Sequence, residues 1–247
     1  MKKTRSFLLT ASISLAMAFT FSCSSDDKDD GGGSCAAADN TVTHFCDTRD
    51  GHLYKYVTIG TQIWMAENLN YNASGSKCGS EEYVSEYEGK IFYRLKDDNT
   101  AYCDKYGRLY NWGTAMNGAT SSNANPSGVQ GICPSGWHLP SGAEWDVLVN
   151  HAGGSSTAGA KLKAKSGWND NGNGTDDYDF AALPSGVGGY QGDFSNSGTQ
   201  GSWWTATEYN SSDAYRRSIR NNRSSIDIVD DIVYKARYLL SIRCVKD

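Results

Sequence analysis

Hydrophobic and polar positions recur along this chain with two different periods. Between Leu53 and Ile59, Tyr54, Tyr56 and Thr58 alternate with Lys55 and Val57, the period of two expected of a strand with one better-buried face. A strand from Thr41, a turn at Arg49-Asp-Gly51, a hairpin turn at Gly60-Thr61 and a strand from Gln62 to Ala66 complete an antiparallel unit. Trp64 and Met65 are assigned to its core. The period changes at Ser141. Trp145, Leu148 and Val149 fall at i, i+3 and i+4, which predicts a short helix over Ser141–His151 with one buried stripe. Ser141, just after Pro140, is its N-cap, and Glu144 completes a reciprocal capping box.

The remaining pattern is less regular. Residues 72–103 form a polar excursion with Glu81, Glu82, Glu86 and Glu88, hard to order without a crosslink. Tyr106-Gly-Arg-Leu-Tyr-Asn-Trp112 returns to strand-like alternation, Gly113–Met116 starts a short helix and Ser121–Ser127 is a loop. Thr157–Ala164 makes a second, weaker helix. Phe180–Gly189 and Ser202–Glu208 read as strands separated by a glycine-rich loop through Tyr190, Asp193 and Phe194. Adjacent Trp203 and Trp204 must face opposite sides of their strand, one toward the core and the other toward a second layer or a surface groove. The fold class is therefore α+β, mainly antiparallel β with one or two short helices.

Composition and charge add an address. Lys2, Lys3 and Arg5 precede a mostly apolar run, Ser6–Phe21, which reads as a secretory signal; at 16 residues it is shorter than the roughly 20 that a spanning helix needs. Ser22-Cys23 resembles a bacterial lipobox, so residues 1–22 are expected to be a lipoprotein signal peptide and Cys23 the acylated residue. Residues 23–40 are acidic and rich in Gly and Ser, a flexible tether. Residues 1–22 hold three cations and no acid, so their removal takes the formal charge from −5 to −8. Nucleic acid is an unfavoured partner, and the acyl anchor is the one expected membrane contact.

The stretch Cys133-Pro-Ser-Gly-Trp-His-Leu-Pro-Ser-Gly-Ala-Glu-Trp145, in which Trp137, Pro140, Ser141, Glu144 and Trp145 are the structural positions, resembles the signature of the Fibrobacter succinogenes major paralogous domain family. Val57–Asn70, Tyr106–Trp112, Phe180–Gly186, Trp203–Glu208 and Ser241–Val245 resemble the family's other blocks, in the family's order, and the resemblance spans roughly residues 41–247. It implies a disulfide-stapled, C-type-lectin-like fold related to the formylglycine-generating-enzyme group. That group's chemistry needs two reactive cysteines late in the domain, whereas Cys244 alone follows Cys133 here. With no G-x-S-x-G elbow, H-E-x-x-H pair or phosphate loop in the sequence, an enzyme is not expected. Glu144 is read as the capping residue of a helix, not a general base.

Setting Cys23 aside leaves six cysteines in an oxidising compartment, and three disulfides are the economical arrangement. Fifteen pairings are possible; two local ones, Cys35–Cys46 and Cys78–Cys103, leave Cys133 for Cys244, the tie that the resemblance also suggests. Neither a C-x-x-C pair nor metal-ligand spacing among His44, His52, His138 and His151 occurs. No cofactor is expected, with one possible exception, Ca²⁺. Asp170, Asn171, Asn173, Asp176 and Asp177 crowd a glycine-turned loop whose oxygens could surround that ion. Trp168-Asn-Asp170 echoes a calcium-site motif of sugar-binding C-type lectins, but the EF-hand template fails because its twelfth position is Phe180. Asx-rich turns also bond their own backbone.

Between Tyr209 and Arg237 lie Tyr209, Asp213, Tyr215, Arg216, Arg217, Arg220, Asn222 and Arg223, residue types suited to an adaptable recognition surface, and Tyr190 joins them as a candidate. The alternative is ordinary outward-facing polar positions on strands. The expected protein is a surface-exposed outer-membrane lipoprotein whose domain, residues 41–247, binds a glycan or protein ligand. A structural envelope protein is the alternative, and a formylglycine-generating-type catalyst a more distant one.

Overall fold

The computed structural model describes residues 43–247 except 80–82, 88–89, 95–99, 190–191 and 229–230. Five strands come first: β1 (His44–Asp47), β2 (His52–Ile59), β3 (Gln62–Met65), β4 (Tyr83–Tyr87) and β5 (Lys90–Arg94). Then follow α1 (Thr100–Tyr106), α2 (Trp112–Met116), β6 (Trp137–His138), α3 (Gly142–His151) and α4 (Ser155–Leu162). The remainder is β7 (Ser185–Gly189), β8 (Asp193–Ser197), β9 (Gln200–Glu208), β10 (Asp213–Arg220), β11 (Ile226–Asp227), β12 (Ile232–Tyr234), β13 (Tyr238–Leu239) and β14 (Val245–Lys246). Three antiparallel sheets result, in the orders β1-β2-β3-β14-β6, β9-β10 with β11 and β12 also on β10, and β13-β7-β8-β5-β4. The protein is thus mainly antiparallel β with a few short helices.

Period-2 alternation on three strands separates the two larger cores, while a third, small cluster among the described residues gathers Leu109, Phe194 and Leu239. Trp64 on β3, Trp203 on β9 and Val245 on β14 enter one core, beside Trp145, Leu148 and Val149 of α3. Their chain neighbours Met65, Trp204 and Cys244 enter the other, with Tyr54, Tyr110 and Leu139. Both tryptophans of β9 are fully buried, one in each core, so the second one covers a second layer rather than lining a surface groove. Each also spends its N–H: Trp203 on Asn68 Oδ1 at 2.7 Å and Trp204 on the Tyr110 carbonyl at 2.7 Å, as buried donors require.

Cys78–Cys103 and Cys133–Cys244 are bonded. The latter closes a separation of 111 residues, a constraint contributing on the order of 4–5 kcal/mol in the chain-entropy model. Cys46 is also disulfide-bonded, while its expected partner Cys35 lies outside the described residues, as do Cys23 and the proposed signal and tether.

The polar excursion over 72–103 holds β4, β5 and the start of α1, with β5 paired to β8 and the Cys78–Cys103 bond spanning it. Three expectations need correction. The glycine-rich loop before β9 is the strand β8, paired with both β5 and β7. Finally, Tyr106 ends α1 instead of opening a strand, and the strand expected from Phe180 begins at Ser185.

Candidate functional site

The signature turn is a buried clamp rather than an open site. Ser141 Oγ accepts the Glu144 N–H at 3.2 Å, and Glu144 Oε2 accepts the N–H groups of Ser141 and Ser127 at 3.0 and 3.1 Å. The other Glu144 oxygen lies 2.7 Å from His138 Nε2, and Asp247 Oδ1 lies 2.7 Å from His138 Nδ1. Burial opposes charge on this imidazole, yet the hydrogen bonds and charges of Glu144 and Asp247 hold its pKa above the ordinary value. With both ring nitrogens facing carboxylate oxygens, each must donate, so the protonated form fits the site. Trp137, Pro140 and Trp145 are buried around it.

A second polar knot joins the family-like blocks. Arg243 is fully buried and donates to Asn68 Oδ1 at 2.9 Å and to the Phe180 carbonyl, with the Phe180 ring 4.3 Å from its guanidinium. No carboxylate touches it among the described residues, and burial pulls its pKa down to about 9 against the charges of Glu67 and Asp176. Asn68 holds this knot together by also donating to the Tyr106 carbonyl at 2.8 Å.

The calcium candidates are turned onto the chain itself. Asp170, Asn171 and Asp176 adopt left-handed φ values of 54°, 58° and 48°, which short Asx side chains tolerate. Asn173 Oδ1 accepts the Trp168 N–H at 3.0 Å, Asp176 Oδ1 the Ala181 N–H at 2.8 Å, and Asp170 Oδ2 the Asn221 side-chain amide at 3.0 Å. Asp177 contributes its backbone N–H to the Lys161 carbonyl. Among the described residues, no three His, Cys, Asp or Glu side chains are grouped to hold a metal ion. Beside this loop lies a cleft of about 520 Å³ lined by Lys105, Tyr106, Trp168, Asn169 and Ser197. Tyr106 and Trp168 are almost entirely covered, so they offer it little ring surface.

The late candidates separate into two groups. Arg217 is the clearest correction to the expected surface: it is 4 % exposed, reaching Asp146 at 3.0 Å and the Gly142 carbonyl at 3.1 Å. Arg216 pairs with Asp231 at 2.7 Å, and Arg220 and Arg223 lie 3.7 and 3.5 Å from Asp227. The loop carrying Asn222 is held from beneath by Lys163 Nζ, which donates to the carbonyls of Arg220, Asn221 and Arg223 at 3.0–3.3 Å. Tyr190 lies outside the described residues.

Tyr209, Asp213 and Tyr215 are brought together. Tyr209 donates its N–H to the Asp213 carbonyl across the β9–β10 hairpin, and Asp213 is the register partner of Tyr234 on β12. Directly opposed residues share a face, so Asp213 and Tyr234 sit side by side on one face of β10 and β12, and Tyr209, just past the end of β9, continues the row through its bond to Asp213. Tyr215, two positions beyond Asp213, sets its ring 5.6 Å from that of Tyr209 at 88°. Tyr209 and Tyr234 are 57 % and 49 % exposed. Ala214 and Val233, the intervening residues, are buried on the opposite face. There too Lys235 Nζ sits 4.3 Å from the Trp112 ring centre and donates to Glu208 Oε2 at 2.7 Å. Tyr234 escaped the sequence reading, because in Ile232-Val-Tyr-Lys235 the lysine is the position that period-2 alternation would place outward.

A family model described as Fibrobacter succinogenes major domain matches residues 57–246. No curated protein and no solved structure matches the chain.

Proposed function

The chain belongs to the Fibrobacter succinogenes major domain family, and from that membership we propose that it is a non-catalytic binding module of C-type-lectin-like fold. In this reading Cys23 carries an acyl anchor that holds the domain at the outer face of the outer membrane, and the row Tyr209–Asp213–Tyr234, with Tyr215, meets the ligand. The observation carrying the proposal is that two large tyrosines stay exposed on one face while Arg216 and Arg217 nearby are committed internally. Exposed aromatics gathered on one face are a recurring mark of recognition surfaces, and a sheet presents them with little ordering left to lose.

The test compares binding of the full chain and of its Tyr209→Ala/Tyr234→Ala variant to a panel of polysaccharides and intact cells. Binding that the variant loses at unchanged melting temperature supports the proposal. Equal binding by both proteins moves recognition elsewhere, and silence across the panel favours an envelope-scaffold role. Palmitate labelling that survives Cys23→Ser would remove the anchor from the proposal.

A further inference from the structure

The tyrosine row is an aromatic surface with one carboxylate, and the cations of β10 and Lys235 beside it are spent within the molecule, while the exposed Arg237 lies just beyond Tyr234. Arg216 faces Asp231, Arg217 faces Asp146, and Arg220 and Arg223 lie beside Asp227. Lys235 works on the underside, with Glu208 and the carbonyls of Asn210 and Ser211. Asp213 is in no ion pair with a described residue. Its Oδ2 accepts the Asn210 side-chain amide at 3.0 Å, leaving the other oxygen for a ligand. Tyrosine faces carry negative quadrupole density, so ring and carboxylate favour the same kind of visitor.

Resting on the binding-face reading above, we propose that Tyr209, Asp213 and Tyr234 dock an arginine side chain of a protein partner. Inter-strand spacing puts Tyr234 about 4.8 Å from Asp213 along the sheet, and the Tyr209 N–H meets the Asp213 carbonyl at 3.0 Å, close enough for one guanidinium to meet a ring and the carboxylate together. Arginine suits this geometry because its planar fork can donate to a carboxylate while its face lies on an aromatic ring. A lysine ammonium is a compact, strongly hydrated charge and gains less. The hairpin tip is set before any partner arrives: Asn210 Oδ1 accepts the N–H groups of Ser212 and Asp213 at 2.8 Å each, and the Lys235 N–H reaches the Ser212 carbonyl at 2.9 Å. A formal charge of −5 favours the approach of a basic partner.

The experiment titrates the full chain with N-acetyl-arginine amide, N-acetyl-lysine amide, the neutral isostere N-acetyl-citrulline amide and cellobiose, followed by tyrosine NMR shifts. Arginine amide should saturate in the millimolar range, with lysine amide about threefold weaker and citrulline amide about tenfold weaker. Asp213→Asn and Tyr234→Ala should each weaken arginine about fivefold. Arginine binding unchanged in Asp213→Asn, or citrulline matching arginine, overturns the assignment. A cellobiose response lost in Tyr234→Ala, with no response to arginine, also overturns it but leaves the binding face standing. Silence towards all four probes overturns the arginine assignment alone, since polymer and cell binding separately decide whether the face binds anything.

Discussion

Asn68 is the single side chain whose removal should cost this fold most for its size. Its amide oxygen takes the Trp203 indole N–H and the Arg243 guanidinium, and its amide nitrogen serves the Tyr106 carbonyl, all out of water. Asn68→Ala orphans a buried neutral donor and a buried carbonyl and strips one acceptor from a buried cation. Each such loss costs roughly 1–3 kcal/mol, and because the three share one network their total falls short of the simple sum, at about 3–6 kcal/mol. For a domain of this size the melting temperature then falls on the order of 10–20 °C, a large part of a typical stability. Differential scanning calorimetry with disulfides intact reads this directly. A double-mutant cycle with Trp203→Phe isolates the mechanism, because an indole N–H that is gone cannot be orphaned: the coupling should be about 1 kcal/mol or more. A fall of under about 3 °C, or additivity within about 0.5 kcal/mol, would refute the idea that Asn68 organises the knot.

Two further predictions concern pH and calcium. His138 has a folded pKa above its unfolded one, so its contribution is complete below about pH 6.5 and is lost as pH rises through the folded value; His52, raised by the Glu67 carboxylate 3.9 Å away, acts in the same direction. Urea midpoints should therefore decline from about pH 6 upward, with a shallower decline in Asp247→Asn, and an unchanged slope in His138→Gln would exclude the clamp as its source. Asp176→Ala should cost about 1–2 kcal/mol through the lost bond to the Ala181 N–H, equally with calcium and with chelator. A wild-type melting temperature raised by calcium, with the rise lost in this variant, would instead reinstate the metal reading of the loop.

The parts legible in the sequence are those governed by local rules. The capping box of α3 and the β2–β3 hairpin follow from neighbours within four residues, and their side chains declare the period themselves. By contrast α1 is held by contacts that its own seven residues do not announce. It buries Tyr102, Cys103 and Tyr106 because Tyr102 OH reaches the Ser185 carbonyl and Cys103 is bonded to Cys78, contacts made by distant chain. Strand β8, Asp-Phe-Ser-Asn-Ser, buries only Phe194, too little alternation to reveal a strand. For the candidate surface, the residue types were visible, but the sorting of arginines from tyrosines was not. That sorting depends on which aspartate each arginine meets, and Asp146 lies 71 residues from Arg217.

The two-sided character of β10 and β12 separates evolvability from stability. Positions 209, 213, 215 and 234 point outward, while Ala214, Val233 and Lys235 secure the layer beneath. Randomising the four outer codons would therefore change what the molecule contacts with little change in how it holds together, and substitutions at exposed sites usually move stability by no more than about 0.5 kcal/mol. The hairpin is thus a natural cassette for a display library, and duplicated genes carrying this domain could diversify at the same four codons without first having to rebuild the scaffold.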